Sequence, residues 1–158
     1  MKKIESFQVD HTRLKRGIFV SRKDSFKNCS LTTFDLRMKE PDTEPVLDNP
    51  ALHTIEHLGA TFLRSHLQWA ERVVYFGPMG CRTGFYVILE GELESRDILA
   101  LIRELFEWIL DFNGPVPGAS AKECGNWQDQ NLTMAKYEAA KYLDVLKRPL
   151  KENLEYPS

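Results

Sequence analysis

An α+β fold, a small antiparallel sheet packed against helices, is predicted by the order in which strand-like and helix-like periods follow one another along this chain. Two short strand-like runs come first, then a capped apolar helix, then two more strand-like runs around a tight turn, and finally two amphipathic helices. Strands that neighbour each other in sequence and are joined by short turns favour antiparallel hairpins over crossover connections.

Each element has its own signal. The runs "GIFVSR" and "LTTFDLRMK" are mixed in polarity, and a polar turn region from Lys23 to Ser30 separates them. The first helix opens at "DNPALHTIEHL" and extends to about Ala70; Asn49 suits the N-cap and Pro50 the first helical position, where a missing N–H costs nothing. "RVVYFG" and "GFYVILEG" flank the tight stretch "PMGCRT" and pair as a hairpin. In "ESRDILALIRELFEWILDF" Ser95 is the cap, and Ile98, Leu101, Ile102, Leu105, Ile109 and Leu110 form one apolar face. The third helix, "NLTMAKYEAAKYLDVLKR", gathers Leu132, Ala135, Ala139, Tyr142 and Leu143 on one side. The polar tail from about Pro149 is expected to be loose, and residues 1–158 to form one domain.

Composition narrows the function. The 158 residues are 42% hydrophobic and 11% aromatic, enough for an ordinary core. A net charge of −2 leaves no electrostatic footprint for nucleic acid or an anionic membrane, so small molecules or further copies of the chain are the expected partners. No stretch reaches the ~18 apolar residues of a spanning helix. The lysines of "MKKIESFQVDH" are not followed by the apolar run of a signal peptide, so a cytoplasmic location is expected. The three cysteines, Cys29, Cys81 and Cys124, give no disulfide framework.

Three of the four histidines fall between Ala51 and His66. At about 100° per helical residue, His57 lies near +40° from His53 and Glu56 near −60°, whereas His66 points away and reads as structural. Two imidazoles one turn apart can grip one metal ion beside a carboxylate, in the order H-x-x-E-H. The remaining residues of the helix, Leu52, Ile55, Leu58, Leu63 and Leu67, suggest a buried setting. Cys124 in "KECGNWQDQN" is a candidate third ligand, with Gly125 letting the backbone come close; two His and one Cys with an open position is a catalytic geometry. Cys81, in the glycine-flanked turn "GPMGCRTG", is a thiol held at a cleft, and Cys29 takes no role.

Five blocks, "ESFQVDHT", "FDLR", "HTIEHL", "PMGCRTGFY" and "ECGN", stand in the order and spacing of the S-ribosylhomocysteine lyases, the LuxS family, which the chain resembles from Ser6 to the helix after Asn131. The resemblance implies a metallohydrolase-like α+β homodimer with shared active sites. His53, His57 and Cys124 match the metal ligands, for Fe²⁺ with zinc or cobalt as substitutes. Cys81 and Glu56 match the two general acid/base residues. Ser6, His11 and Arg37 match substrate-contacting positions, Ser6 and His11 reaching into the neighbouring subunit's site. The implied reaction cleaves the thioether of S-ribosylhomocysteine to homocysteine and 4,5-dihydroxy-2,3-pentanedione, the autoinducer-2 precursor, and disposes of the spent methyl donor.

Two regions depart from the family's pattern. Thr33 stands where a Lys commonly precedes the "FD-R" block, and Tyr75 and Gly77 stand where "D-x-S" commonly precedes "PMGC". These changes bear on how the substrate's amino-acid end is held. Two other readings of the same residues stand beside the lyase. An H-x-x-E-H metallopeptidase would use Glu56 to activate water, draw a third ligand from a carboxylate such as Glu123 or Glu138, and have no use for Cys81. A non-catalytic metal-bound scaffold would close all four coordination positions with protein groups.

Overall fold

The computed structural model describes residues 4–157; Met1–Lys3 and Ser158, part of the expected single domain, lie outside them. In chain order it contains β1 (Gly17–Phe26), β2 (Cys29–Arg37), α1 (Asn49–Ser65), β3 (Val73–Pro78), β4 (Gly84–Glu90), α2 (Ser95–Asp111) and α3 (Leu132–Lys147). The strands form one sheet in the order β1-β2-β4-β3, antiparallel at every pairing. This is the α+β class that the sequence predicts, with the helices packed on one face.

Strand alternation divides the side chains between the two faces. Phe34, Leu36, Phe85, Val87 and Leu89 are buried in the core against Ile98, Leu105, Phe106, Ala139 and Tyr142 of α2 and α3. Each such fully buried large side chain stabilises the fold by about 1.5–3 kcal/mol. On the outer face Phe19 pairs with Asp35, and Asp35 with Tyr86. Helix α1 lies against β3 through Gly59, where a Cβ would come within 2.3 Å of the Phe76 ring. That close approach fixes the height at which His53 and His57 stand above the sheet.

Several boundaries differ from those expected. The stretch Lys23–Ser30 is not a turn region: Phe26 pairs with Cys29, and only Lys27 and Asn28 remain between the strands. Its polar side chains are solvated, and a backbone ladder needs no apolar face where both sides meet water. Helix α1 takes Asp48, not Asn49, as its N-cap, and it ends at Ser65 instead of Ala70. His66 stops it: the residue is extended, its Nδ1 accepts from the Gln68 N–H (3.2 Å) and its Nε2 lies 3.1 Å from Glu104, away from the site. A side chain that bonds nearby backbone in this way competes with helical hydrogen bonds. Leu67, read as part of the apolar helix, is fully exposed in the turn that follows.

Ser95 does not cap α2. Glu94 does, its N–H donating to the Asp97 carboxylate (2.7 Å), while the Ser95 hydroxyl donates to the Leu154 carbonyl (2.9 Å). That bond is one of several that tie down the tail expected to be loose. Asn153 donates to the Arg16 carbonyl (2.8 Å), Leu154 is buried, and the Tyr156 ring stacks on Phe19 at 4.8 Å.

The segment after β2 braces the β3–β4 turn. The N–H groups of Met38 and Lys39 donate to the Thr83 carbonyl, and that of Leu47 to the Arg82 carbonyl. The segment is anchored in turn by buried charge: Lys39 lies 2.7 Å from Glu138 of α3 and 3.8 Å from Glu44, and Glu44 takes both a 2.9 Å and a 2.6 Å bond from Arg16. A buried lysine is tolerated only with such partners.

Candidate active site

The ligating atoms of His53, His57 and Cys124 all lie within 4.8 Å of one another, and all three residues are half-buried. The two imidazoles come from successive turns of α1, with ring centroids 4.6 Å apart and nearly perpendicular. Both are oriented by backbone of the α2–α3 loop. His53 Nδ1 lies 2.9 Å from the Asp129 carbonyl and His57 Nδ1 2.7 Å from the Pro117 carbonyl. A carbonyl can only accept, so each Nδ1 carries the proton and each Nε2 presents a lone pair to the cluster. The Gln130 amide also approaches His53 Nδ1 at 3.2 Å, but the shorter carbonyl contact decides the tautomer. This is the outer-shell pattern that metal-bound histidines use.

Cys124 enters from the same loop, its Sγ 3.4 Å from His53 Nε2 and 3.4 Å from the Asn126 N–H. Thr54, fully buried between the two histidines on α1, accepts from the Asn131 N–H (2.9 Å) and donates to Gln130 (2.7 Å), so the loop is stapled to the helix. Asn131 also caps α3 through the Met134 N–H. Gly125 is not what brings the backbone close, because a Cβ there would meet nothing within 4 Å. The glycine that matters is Gly118, which sits at φ +73° with its Cβ position 3.1 Å from His57 Nδ1. Two nitrogens and a sulfur that converge, with every other polar atom of the rings engaged, fit a borderline-soft divalent ion. The cluster could hold a metal; its donor set does not single out iron.

A second cluster surrounds Cys81, which is exposed on the β3–β4 turn. Its Sγ lies 3.1 Å from the Thr83 hydroxyl, and Arg37 Nη1 donates to that same hydroxyl (2.5 Å). The rest of the guanidinium forks onto Asp35 at 3.1 and 2.5 Å, and the Tyr156 phenol donates to Asp35 at 2.9 Å. Asp35 and Arg37 are almost wholly buried. Burial pushes the Asp35 carboxyl up from its ordinary value, against the pull of Arg37 and Tyr156. Burial alone would lower the Arg37 guanidinium, but the charge of Asp35 and the bonds to it outweigh this and raise it. Burial likewise raises the Tyr156 phenol, and the Asp35 carboxylate raises it further.

The other residues singled out from sequence fall nearby. Glu56 shares the half-buried face of α1 with His53 and His57. His11 lies close enough to Asp35 for their charges to interact, and its Nδ1 bonds the Val9 carbonyl at 2.9 Å. Ser6 lines a cavity of about 690 Å³ on the outer sheet face, with Thr33, Tyr75 and Tyr86 among its walls. The Thr33 hydroxyl is buried without a hydrogen-bond partner. A side chain at Gly77 would collide with the Tyr75 phenol, so these two departures from the family pattern fit one another. Among the described residues, no hydrogen bond or ion pair joins the Cys81 cluster to the His53–His57–Cys124 cluster.

A family model described as S-ribosylhomocysteinase (LuxS) matches residues 4–153. The chain belongs to the LuxS family. It is 59% identical to the S-ribosylhomocysteine lyase of Borreliella afzelii (strain PKo) over 157 residues, 99% of this chain and 100% of that one. It is 55% identical over 159 residues to the S-ribosylhomocysteine lyase of Desulfotalea psychrophila, each chain covered in full. The lyase of Finegoldia magna is 57% identical over 157 residues, 99% of both chains. Among the described residues no helix is long and apolar enough to cross a membrane.

For a LuxS chain, several contributors to the site had no signal in sequence. The Pro117 and Asp129 carbonyls that set the imidazole tautomers are backbone groups. Asp35 stood inside the "FDLR" block, but nothing local marked it as the partner of Arg37. Tyr156 belonged to a tail that read as polar and free.

Proposed function

We propose that this chain is an S-ribosylhomocysteine lyase, a metal-dependent carbon–sulfur lyase whose native ion is Fe²⁺, with zinc or cobalt as substitutes. The observation that carries the reading is the convergence of two proton-fixed imidazoles and one thiol at 4.8 Å, in a chain whose full-length relatives bear that name. Three protein donors leave room for substrate, which favours a catalytic site over a closed structural one. The third donor is a sulfur, and a Cys81 cluster accompanies it, which speaks against an H-x-x-E-H peptidase.

The substrate is a ribose joined through sulfur to homocysteine. Its C–S bond becomes breakable without water or a redox partner once the sugar carbonyl lies β to sulfur. A divalent ion held by His53, His57 and Cys124 supplies Lewis-acid charge for the negative oxygen that develops as the carbonyl migrates. Glu56 and Cys81 move the protons. One takes a proton from the carbon next to the carbonyl, and the other delivers one to the neighbouring carbon. Two such shifts bring the carbonyl to C3. Removal of the C4 proton then forms the C4–C5 double bond, the C5–S bond breaks, and homocysteine leaves with the electron pair and takes up a proton. The other product leaves as the C4–C5 enol, whose hydroxyl loses a proton as C5 gains one to give 4,5-dihydroxy-2,3-pentanedione, the autoinducer-2 precursor.

We further infer a homodimer in which Ser6, His11 and Arg37 complete the substrate contacts, Ser6 and His11 of one copy serving the other's metal. Three unpaired cysteines suit a reducing, cytoplasmic setting. The test is anaerobic turnover of S-ribosylhomocysteine by iron-loaded protein, with free homocysteine followed by a thiol reagent. Release that vanishes in Cys81→Ala is expected. No release at stoichiometric metal would overturn the reading.

A further inference from the structure

We propose that Tyr156 is a positioning residue for the proposed lyase reaction, acting through Asp35, Arg37 and Thr83 to set the orientation and reactivity of the Cys81 thiol. The proposal rests on the reading that Cys81 moves protons. It is drawn from a continuous run of contacts that begins 121 residues away in sequence, at the Tyr156–Asp35 bond of 2.9 Å. From Asp35 the run passes to Arg37 at 2.5 Å, from Arg37 to the Thr83 hydroxyl at 2.5 Å, and from Thr83 to Cys81 at 3.1 Å.

The links from Tyr156 to Asp35, Arg37 to Asp35 and Arg37 to Thr83 each have a defined direction, and the Thr83–Cys81 contact runs from hydroxyl to sulfur when the sulfur is a thiolate. Arg37 is a donor only, so the Thr83 oxygen accepts from it, and the Thr83 proton is free to point at the sulfur. A hydroxyl polarised by a guanidinium donates best to a thiolate. How much positive charge Arg37 offers there depends on how fully Asp35 neutralises it. The Tyr156 phenol draws charge from the same Asp35 oxygen that takes the 2.5 Å bond from Arg37 Nη2. Without that phenol the carboxylate holds the guanidinium more strongly, and the sulfur gains less from it.

The tail is built to keep the phenol in place. The Tyr156 ring lies flat on Phe19 with an interplanar angle of 8°, Leu154 is buried two residues earlier, and Asn153 is bonded to the Arg16 carbonyl. Arg37 from β2 and Tyr86 from β4 interact with the thiol, Arg82 follows it on the turn, and Asp35 from β2, His11 from the N-terminal segment and Tyr156 act on it through Arg37 and Asp35.

The experiment measures the rate at which iodoacetamide alkylates Cys81 as a function of pH in the metal-loaded protein. The Cys81 peptide is resolved by mass, so that Cys29 and Cys124 do not contribute. Tyr156→Phe keeps the ring stack and removes the phenol's bonds to Asp35 and Ser21. With metal content and melting temperature retained, alkylation at neutral pH should slow about threefold or more, its midpoint should move to higher pH, and kcat should fall with KM little changed. Replacing Tyr156 by 3-fluorotyrosine makes the phenol a stronger donor without altering its shape, and should move the midpoint the opposite way. It also decides the matter if the phenylalanine variant does not fold. An unchanged profile in either folded variant, or a loss of stability alone, would overturn the proposal. If the parental protein releases no homocysteine, the lyase reading fails, while the alkylation profile still decides the role of Tyr156.

Discussion

Replacing Gly118 by Ala tests whether a residue that donates nothing to the metal cluster nevertheless holds it in shape. Gly118 sits at φ +73°, where an alanine costs about 1–2 kcal/mol of left-handed strain. In a chain of this size that lowers the melting temperature by roughly 2–8 °C. The added Cβ would also stand 3.1 Å from His57 Nδ1 and 3.3 Å from Cε1, so the ring must yield by a few tenths of an ångström. That shift lengthens or bends the 2.7 Å bond to the Pro117 carbonyl. Disturbing such an outer-shell bond weakens metal binding by about 10–100-fold. Competition with a chromophoric chelator for Co²⁺ or Zn²⁺ reads the affinity, and thermal melts with and without chelator read the stability. Gly114→Ala is the control: its φ of +124° strains the backbone, but a Cβ there meets nothing within 4 Å. It should lose stability and keep its metal. Parental affinity in Gly118→Ala, or an equal loss in Gly114→Ala, would refute the reasoning.

Glu56→Gln should retain stoichiometric metal and lose homocysteine release, whereas Cys124→Ala should bind metal poorly by the same chelator titration. Tyr142→Phe removes a buried hydroxyl that donates to the Gly17 carbonyl at 2.6 Å; the orphaned carbonyl should cost about 1–3 kcal/mol, read as a lower urea midpoint at unchanged slope. At Glu44, burial raises the carboxyl, but its bonds from Arg16 and the Glu40 N–H outweigh that and hold it below its ordinary value. A lowered carboxylate contributes stability above its unfolded pKa and loses it as pH falls through the folded one. Urea unfolding from neutral to acid pH should therefore show a shallower acid-side loss in Glu44→Gln than in the parent.

Much of this architecture could be read from the chain. The helical periods located α1, α2 and α3, and the hairpin around "PMGCRT" was visible because its flanking runs alternate. The pairing of His53 and His57 was legible for a physical reason: a one-turn spacing puts both rings on one helix face whatever the fold does elsewhere. What escaped was contact without a local signature. The Asp35–Tyr156 bond spans 121 residues. The Ser95 hydroxyl looked like a cap and went instead to the tail. The end of α1 was misplaced because the side-chain bonds of His66, not residue propensity, stop the helix. The β1–β2 turn was read too broadly because polarity was taken for irregularity, although strands exposed on both faces are polar too.

The anchored C-terminus has a practical side for anyone handling this protein. Any extension added on the C-terminal side of Tyr156 is joined to the residue whose phenol donates to Asp35. An extension that displaced this phenol would disturb the Asp35–Arg37 pair, and kinetics measured on such a fusion would carry its imprint. The tip of the first hairpin, at Lys27 and Asn28, is solvent-exposed and lies at the far end of β1 from the Gly17–Arg37 pairing. A fluorophore or affinity handle belongs there, at a distance from both clusters.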